Sequence, residues 1–209
     1  QPLFITDDIP YEKAMLLYLK SAEWPGVVLT NKSRREYDLA GQSLSHVVGY
    51  TGKISPEELK GGGSEYSPID YIGKMGIEYF WEPDLKGMNG KKEIEVDALG
   101  KEKKVINETK PKDGNNLVLS INAELQKKIA EEMLNAFLKF HFKKGEVVAM
   151  DPQSGEILSL VSLPAYNSNA FARGITADEY NNLLNQPDHP LFNRAVSGEY
   201  PPGSTIKPV

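Results

Sequence analysis

The sequence predicts an α+β protein in two successive parts, divided near residue 143. Residues 91–107 and 145–162 each hold two β-prone segments around a tight turn, which is the pattern of an antiparallel hairpin. Between them, residues 123–141 repeat apolar side chains at helical spacing against a charged face. Helices and hairpins that follow one another without a regular βαβ alternation are typical of the α+β class.

The composition excludes several function classes. Of the 209 residues, 40% are hydrophobic and 25% are charged, which is ordinary for a folded protein with a core. The formal net charge is −5, and phosphate binding needs concentrated positive charge, so nucleic acid is not expected as a partner. With no Cys and three His, we expect no disulfide, no metal site and no cofactor bound through thiolates.

The ends of the chain predict a piece of a longer protein. The first residue is Gln, and the chain stops at Val209 directly after a strong motif. No apolar run approaches the ~20 residues of a membrane helix, and residues 1–10 lack the layout of a secretion signal.

Cap and turn residues define the first elements. We expect a helix over residues 11–21 and, after Pro25-Gly26, a short strand over 27–30. Residues 45–50 are apolar and β-prone. Ser55 and Glu58 have the spacing of a capping box, which predicts a short helix.

The middle of the chain holds a broken helix and an exposed hairpin. Residues 76–85 carry apolar side chains at helical spacing, although Pro83 must end or kink a helix there. Residues 91–107 alternate charged and apolar side chains around a turn, which predicts a solvent-exposed hairpin.

A strand and a long helix follow. Residues 117–121 are expected to form the strand, and Asn122 is expected to cap the helix over 123–141. The predicted apolar stripe of this helix consists of Leu125, Ile129, Met133, Ala136, Leu138 and Phe140.

The last third begins with a second hairpin. Its strands are predicted over 145–150 and 156–162, joined by a tight Pro- and Gly-containing turn at 151–155. Both of its faces are apolar, which favours a central place in a larger sheet. One short helix is expected at 176–184.

Ser204 and Lys207 form the sharpest chemical signal. They are three positions apart behind Pro201-Pro202-Gly203, so a helix beginning at Ser204 would place both side chains on one face. A serine hydroxyl is a weak nucleophile and needs a nearby base, which a lysine amine becomes when its pKa is lowered. This is the Ser-x-x-Lys arrangement of serine acyl-transfer enzymes, although the bare pattern also arises at an ordinary exposed helix start.

The motif and its surroundings resemble the class B penicillin-binding proteins, and within them the elongation-type branch, penicillin-binding protein 2. The resemblance covers nearly the whole chain. Residues 193–208 resemble the nucleophile motif, and 145–169 resemble the opening hairpin of the transpeptidase domain. The further matching stretches, in the family's order, are 34–37 with 45–50, 73–78 with 85–87, and 117–134.

The resemblance implies an elongated pedestal or dimerisation domain over 1–142 and the truncated start of a penicillin-binding transpeptidase α/β domain over 143–209. It implies that Ser204 attacks the penultimate D-alanine carbonyl of a peptidoglycan stem peptide, that Lys207 takes its proton, and that β-lactams acylate Ser204. It also implies a membrane anchor in the bacterial cell envelope, with this region outside the cytoplasm. The implied partners include elongation-complex membrane proteins, such as a glycosyltransferase of the shape, elongation, division and sporulation class.

The chain departs from the family because neither a Ser-x-Asn motif nor a Lys-Thr/Ser-Gly strand follows Lys207. By itself it is therefore expected to be inactive and to react poorly with penicillin. The alternative function is a non-catalytic interaction or scaffold module that docks cell-wall elongation partners. A soluble β-lactamase shares Ser-x-x-Lys but is disfavoured, because such enzymes lack ~140 residues before the nucleophile.

Other residues with chemical potential are expected to be structural. His46 and Glu78 are expected to hold the fold, and Asp151 and Glu156 to serve a turn. Arg34, Arg35 and Tyr37 are expected to lie in a solvated loop, with a partner or glycan contact as the alternative. The large aromatic side chains expected in the core are Trp24, Phe80 and Trp81.

Overall fold

The α+β fold class is confirmed by the computed structural model, which describes residues 5–6, 9–21, 23–24, 26–29, 33–37, 41–61, 66–97, 102–201 and 203. The helices are α1 (Tyr11–Ser21), α2 (Ser45–Val48), α3 (Pro56–Gly61), α4 (Gly76–Phe80), α5 (Glu82–Leu85), α6 (Ala123–Phe140), α7 (Ser168–Ala172), α8 (Ala177–Asn185) and α9 (Arg194–Ser197), with a 3-10 turn at Gly41–Leu44. The strands are β1 (Tyr50–Lys53), β2 (Tyr71–Met75), β3 (Lys91–Val96), β4 (Glu102–Thr109), β5 (Gly145–Met150) and β6 (Ile157–Leu163). Within the described residues the strands pair as β1 with β2, β3 with β4, and β5 with β6.

The chain divides into two compact units. The first comprises Gln1–Arg35, Gly52–Ile72 and Trp81–Leu117, and the second comprises Glu36–Thr51, Gly73–Phe80 and Val118–Val209. The predicted boundary between residues 142 and 143 concerns the two family domains and stays a prediction.

The first unit begins with α1, which has the predicted bounds. The described residues 26–29 do not form the predicted strand, because Val27 instead donates a turn hydrogen bond to the Trp24 carbonyl. Trp24 is 40% exposed and is not a core residue. The capping box before α3 is confirmed: the Ser55 N–H donates to Glu58 Oε2 at 2.7 Å, and the Glu58 N–H donates to Ser55 Oγ at 3.2 Å.

The broken helix at 76–85 is confirmed, with Pro83 in a different role. Pro83 lies in the first turn of α5, where a proline needs no N–H partner, so it begins the second piece rather than ending the first. The prediction that Phe80 and Trp81 are core residues is wrong, because both side chains are exposed. A five-residue helix buries only one face, and in α4 that face carries Glu78.

The exposed hairpin is confirmed. β3 and β4 pair antiparallel from Lys91 opposite Thr109 to Val96 opposite Glu102, with register shifts after Glu93 and Glu95. Every residue of β3 is exposed.

The core of the second unit lies between α6 and β6. Ala130, Val161 and Leu163 are buried, and the half-buried side chains packed against them are Ile129, Met133, Phe137 and Ala165. Asn122 caps α6 as predicted, accepting the Leu125 N–H at 3.0 Å. The stripe prediction is wrong for Leu138 and Phe140, which are exposed. Leu138 is turned ~100° from Phe137 around the helix, and Phe140 lies in the last turn beside Phe142.

Two predicted β segments of the second unit are not strands. Residues 45–48 form α2, whose Ser45 and His46 are buried, so packing overrides β propensity there. Residues 117–121 are not a strand. Ser120 Oγ donates to the Ile157 carbonyl of β6, and the next residue but one, Asn122, donates its N–H to the Leu158 carbonyl. Isolated bonds make no ladder.

Two glycines bring α2 and α4 into backbone contact. Gly49 and Gly76 have φ values of 80° and 62°. A Cβ on Gly49 would lie 1.7 Å from the Met75 carbonyl oxygen, and a Cβ on Gly76 would lie 2.6 Å from the Val47 carbonyl oxygen. Glycine is therefore required at both positions by conformation and by space.

The second hairpin and the short helix after it are confirmed. β5 and β6 pair antiparallel from Gly145 opposite Leu163 to Met150 opposite Ile157. The helix predicted at 176–184 is α8, which opens with a capping box between Thr176 and Glu179.

Candidate functional site

The predicted catalytic residues Ser204 and Lys207 lie outside the described residues, which at this end of the chain are continuous to residue 201 and include 203. The structure therefore describes the segment that leads to them. That segment comprises the loop 186–193, helix α9 and residues 198–201, and it belongs to the second unit.

Gln126 of α6 holds the strand on which this segment rests. Its side chain is completely buried, with Nε2 donating to the Leu160 carbonyl at 2.7 Å and to the Ser43 carbonyl at 2.8 Å. Its Oε1 accepts the Leu160 N–H at 2.8 Å and the Ser159 hydroxyl at 2.7 Å. The amide thus pairs with the Leu160 backbone as a neighbouring strand would, and it fixes β6 against α6.

Arg194 is the buried cation of the segment. It is 5% exposed, and its Nη1 donates to the carbonyls of His189 and Phe192 at 3.3 and 3.2 Å. Its Nη2 donates to the Asp188 carbonyl. Three backbone oxygens therefore replace the water that the guanidinium loses on burial.

Ser162 of β6 connects the strand to the start of α9. Its hydroxyl oxygen accepts the Arg194 N–H at 3.0 Å and donates toward the Phe192 carbonyl at 3.4 Å. The side chains of the same loop border an open cavity of about 440 Å³, lined by Leu183, Leu184, His189, Leu191 and Phe192.

Tyr200 marks the exit of the segment. Its ring lies on Gly198, where an added Cβ would be 2.4 Å from Tyr200 Cε2 and 2.5 Å from the Arg194 carbonyl oxygen. Desolvation and, to a smaller extent, the Glu146 carboxylate of β5 raise the pKa of the Tyr200 hydroxyl.

His46 lies in an aromatic cluster beside the segment. Its ring meets that of Tyr166 edge-on at 5.2 Å, and the Tyr166 hydroxyl donates to the Ser45 carbonyl at 2.8 Å. Burial, with a smaller contribution from the Arg194 charge, lowers the pKa of His46 to about 4. The imidazole is therefore neutral at pH 7, as a packed structural histidine would be.

Tyr37 is fixed by hydrogen bonds. Its N–H donates to Asn169 Oδ1 and its carbonyl accepts from Asn169 Nδ2, both at 2.8 Å, while its hydroxyl accepts the Thr51 N–H. Tyr37 thus lies in a loop as predicted, but it is half-buried and links parts of the second unit rather than being solvated. Arg34 and Arg35 are exposed.

The carboxylate residues Asp151, Glu156 and Glu78 have structural roles, as the sequence predicted. Asp151 Oδ1 accepts the N–H groups of Gln153 and Ser154, which closes the turn between β5 and β6. The Glu156 carbonyl accepts the Asp151 N–H across the same turn. Glu78 is buried in α4. Among the described residues, no three His, Cys, Asp or Glu side chains are grouped so as to hold a metal ion.

Sequence reasoning missed Arg194, Gln126 and Ser162. Gln126 could have been found, because it lies three and four positions before Ile129 and Ala130 and so shares their buried face. Arg194 lies in the quoted motif but has no predicted role, and no local pattern shows that three carbonyls of a loop surround it.

Two family models match the chain. One is described as the penicillin-binding protein dimerisation domain and covers residues 1–119, and the other is the penicillin-binding protein transpeptidase domain and covers residues 145–209.

Similar curated proteins include the peptidoglycan D,D-transpeptidases MrdA of Acinetobacter baumannii and Escherichia coli K12. The first is 39% identical over 188 residues, which is 90% of this chain and 27% of that protein. The second is 37% identical over 190 residues, 88% of this chain and 29% of that protein. The chain thus spans less than a third of the length of these relatives.

Two solved structures show the same fold. The complex between penicillin-binding protein 2 and MreC from Helicobacter pylori matches with a TM-score of 0.76 and 34% identity, over 97% of this chain and 36% of that chain. Pseudomonas aeruginosa penicillin-binding protein 2 in complex with WCK 5153 matches with a TM-score of 0.64 and 38% identity, over 80% of this chain and 32% of that chain.

Proposed function

Because this chain belongs to the penicillin-binding proteins that join a dimerisation domain to a transpeptidase domain, we propose that it is part of a peptidoglycan D,D-transpeptidase of the elongation type. The observation that carries this proposal is the position of Ser204 and Lys207 inside the stretch matched by the transpeptidase model. We further propose that the dimerisation pedestal extends over 1–142 and that the transpeptidase part begins at 143.

In the proposed reaction, Ser204 Oγ attacks the penultimate D-alanine carbonyl of a stem peptide while Lys207 takes the hydroxyl proton. The new C–O bond forms an ester, the bond to the terminal D-alanine breaks, and its amine leaves with a proton. An amine of a neighbouring stem then attacks the ester, which forms the cross-link and returns the proton to Ser204. The Ser204 N–H is one donor to the oxyanion. A β-lactam follows the first half of this sequence, and its opened ring stays attached.

The base role sets a condition on the site. An ordinary lysine has a pKa of about 10.4, so only about one in 2,500 is neutral at pH 7. Lys207 acts as a base only where desolvation and neighbouring positive charge lower that pKa. In the family, the Ser-x-Asn and Lys-Thr/Ser-Gly motifs border this pocket.

The test uses the full-length protein that contains these residues. Incubation with benzylpenicillin is expected to add the mass of one β-lactam, and a pentapeptide stem mimic is expected to release D-alanine. Both signals should disappear in Ser204→Ala, with Ser197→Ala as the control at a nearby exposed serine. An adduct that persists in Ser204→Ala would refute the assignment.

A second candidate function, docking of a cell-wall elongation partner, is favoured by one observation. The matched Helicobacter pylori protein was solved in complex with MreC. We propose that this protein works in the bacterial cell envelope, anchored in the cytoplasmic membrane with this region outside the cytoplasm. Its proposed partners are a protein of that kind and a glycosyltransferase of the shape, elongation, division and sporulation class. No helix in the part of the chain that the structure describes could cross a membrane.

Docking and catalysis can be tested separately. Full-length protein with Ser204→Ala is expected to bind MreC of the same organism with unchanged affinity while losing penicillin labelling. Loss of MreC binding in a variant that still folds would count against an independent docking function.

A further inference from the structure

The first unit holds a small open cavity between α5 and the segment that follows β4. The residues that line it are Trp81, Asp84, Leu85, Asn115, Asn116 and Leu117. All six belong to the first unit, and none has a part in the proposed acyl transfer. The cavity has a volume of about 120 Å³, which is roughly that of four waters in the liquid. It therefore has room for one small ring and not for a helix or a folded peptide.

Backbone hydrogen bonds hold the two walls of the cavity together. The Asn115 N–H donates to the Asp84 carbonyl at 2.8 Å. Next to this bond, Met88 and Lys112 exchange both of their backbone hydrogen bonds, at 2.8 and 2.9 Å. The cavity is thus part of the fold of the first unit, and its shape exists before a ligand arrives, as is usual for small-molecule sites.

Trp81 supplies an aromatic wall. It lies directly before α5, where its carbonyl accepts the N–H groups of Asp84 and Leu85, each at 3.0 Å. The residue is 40% exposed although burial of a large aromatic side chain is favourable. Together with the half-buried Leu85 and Leu117, it gives the cavity an apolar surface on which a flat ligand can pack.

Three exposed polar side chains complete the lining, those of Asp84, Asn115 and Asn116. Within the residues that the structure describes, none of these side chains makes a hydrogen bond or an ion pair. A carboxylate accepts hydrogen bonds, and an amide both donates and accepts them. The cavity therefore offers donors and acceptors that the fold itself does not use.

The chemistry of the lining selects among ligand classes. An anionic ligand is disfavoured, because the described side chains of the cavity include a carboxylate and no cation. A cationic ligand could use the indole and Asp84, but it would leave both amides without a function. A sugar ring uses all of them, since its C–H groups form an apolar face and its hydroxyl and acetamido groups, at the edge, both donate and accept hydrogen bonds.

We propose that this cavity, the Trp81 cavity, binds one ring of the amino-sugar glycan that carries the stem peptides of peptidoglycan. Trp81 packs against the C–H face of the ring, while Asp84, Asn115 and Asn116 bind its polar edge. This inference deepens the proposed action on peptidoglycan and rests on it. It gives the first unit a role in substrate binding that is separate from the chemistry at Ser204.

The test is a calorimetric titration of the full-length protein with the tetramer of N-acetylglucosamine, which has no peptide and no charge. We expect a dissociation constant of about 0.1–1 mM, the scale for a ligand that buries one sugar ring. Trp81→Ala should weaken binding about tenfold or more, because the indole contact is lost. Trp24→Ala is the matched control and should bind as wild type does, since Trp24 is also 40% exposed in the first unit and does not line the cavity.

Two exposed polar positions test the edge contacts and do not depend on how Trp81→Ala folds. Asn116→Ala should weaken binding about threefold to tenfold, as loss of a hydrogen bond to the ligand would. Asp84→Asn keeps an acceptor and removes the charge, so affinity for the tetramer should stay within about threefold of wild type. A site for a cation would instead bind tetramethylammonium in wild-type protein and lose it in Asp84→Asn.

The inference would be overturned by any of three results. These are no binding of the tetramer by wild-type protein at millimolar concentration, equal affinity in wild type, Trp81→Ala and Asn116→Ala, or displacement of the tetramer by tetramethylammonium. Failure of the proposed function has a different signature. If benzylpenicillin labels Ser204 and the tetramer does not bind, only this inference fails, whereas wild-type protein without an adduct at Ser204 refutes the proposed acyl transfer.

Discussion

The two hairpins of this chain are both antiparallel, but one is exposed to solvent and the other is packed against a helix. In β3 and β4, every residue of the first strand is exposed. In β6, Val161 and Leu163 are buried against α6. Alternation places the charged side chains of Glu93 and Glu95 on one face of the first hairpin and Ile94 and Val96 on the other, where both are exposed. The second hairpin offers Ile157, Leu160 and Val161 for packing.

A hairpin can support a further segment of the chain only when another element covers one of its faces. α6 covers β6 with apolar side chains and with one polar group, Gln126, that completes the hydrogen bonding of Leu160. The exposed hairpin instead carries ion pairs between charged neighbours, such as Lys103 with Glu95 at 3.6 Å. Such pairs contribute little, because water screens them.

The largest expected effect comes from Gln126→Ala. The substitution leaves the Leu160 N–H and two buried carbonyls without partners, so we expect the free energy of unfolding to fall by about 3 kcal/mol or more. Urea unfolding followed by circular dichroism measures this. A loss below about 1 kcal/mol would mean that water replaces the amide and that β6 does not depend on α6 in the way described.

The free energy of unfolding should also depend on pH through the buried His46. Its pKa of about 4 lies below the ordinary 6.5, so the unfolded chain takes up the proton first as the pH falls. The stability of the fold with a neutral His46 is fully present above pH 6.5 and is lost as the pH falls toward 4. The free energy of unfolding should fall by about 2–3 kcal/mol between pH 7 and 4.5. In His46→Gln, the difference in unfolding free energy between these two pH values should shrink by that amount; an equal difference in both proteins would contradict the assignment.

One substitution made in both hairpin regions sharpens the contrast. Ile129→Ala removes a half-buried side chain from the α6–β6 core and is expected to cost about 2 kcal/mol, the low end for a core isoleucine. Ile94→Ala removes the same atoms from β3, where the side chain is 40% exposed, and should cost less than about 1 kcal/mol. Melting curves of the two variants measure these losses. Equal shifts of the melting temperature would show that the two hairpin regions do not differ in packing.

The smallest expected effect is at the surface ion pair. Lys103→Met should change the free energy of unfolding by less than about 0.5 kcal/mol.

Amide hydrogen exchange adds a direct comparison of the two hairpins, because the amides of β3 and β4 should exchange faster than those of β6. Slow exchange across both strands of the exposed hairpin would show that a further element covers it.

Elements specified by neighbouring residues could be predicted from the sequence. The capping boxes at Ser55 and Thr176 and the cap at Asn122 each bind backbone groups within three positions, so a short window contains the whole interaction. Both hairpins could be predicted for the same reason, because alternating side chains and the residues of the turn lie within a short window.

Elements decided by distant contacts could not be predicted in this way. Residues 45–48 have β propensity, yet they form a helix that packs by backbone contact against residues 75 and 76. Residues 117–121 lie beside β6 without a ladder. Of the site, the pair Ser204 and Lys207 follows from motif and resemblance and stays a prediction, whereas Arg194 acquires its partners only when the loop closes around it.

The contact between Gly49 and Gly76 restricts how this sequence can diverge. At most positions several amino acids fold equally well, but here every side chain beyond hydrogen collides with a carbonyl group of the opposite segment. A saturation library screened only for folded protein should therefore return glycine alone at these two codons, even when catalysis is not selected. The two positions would serve as an internal standard for such a library, because the loss of all other amino acids at them measures the selection that folding alone imposes.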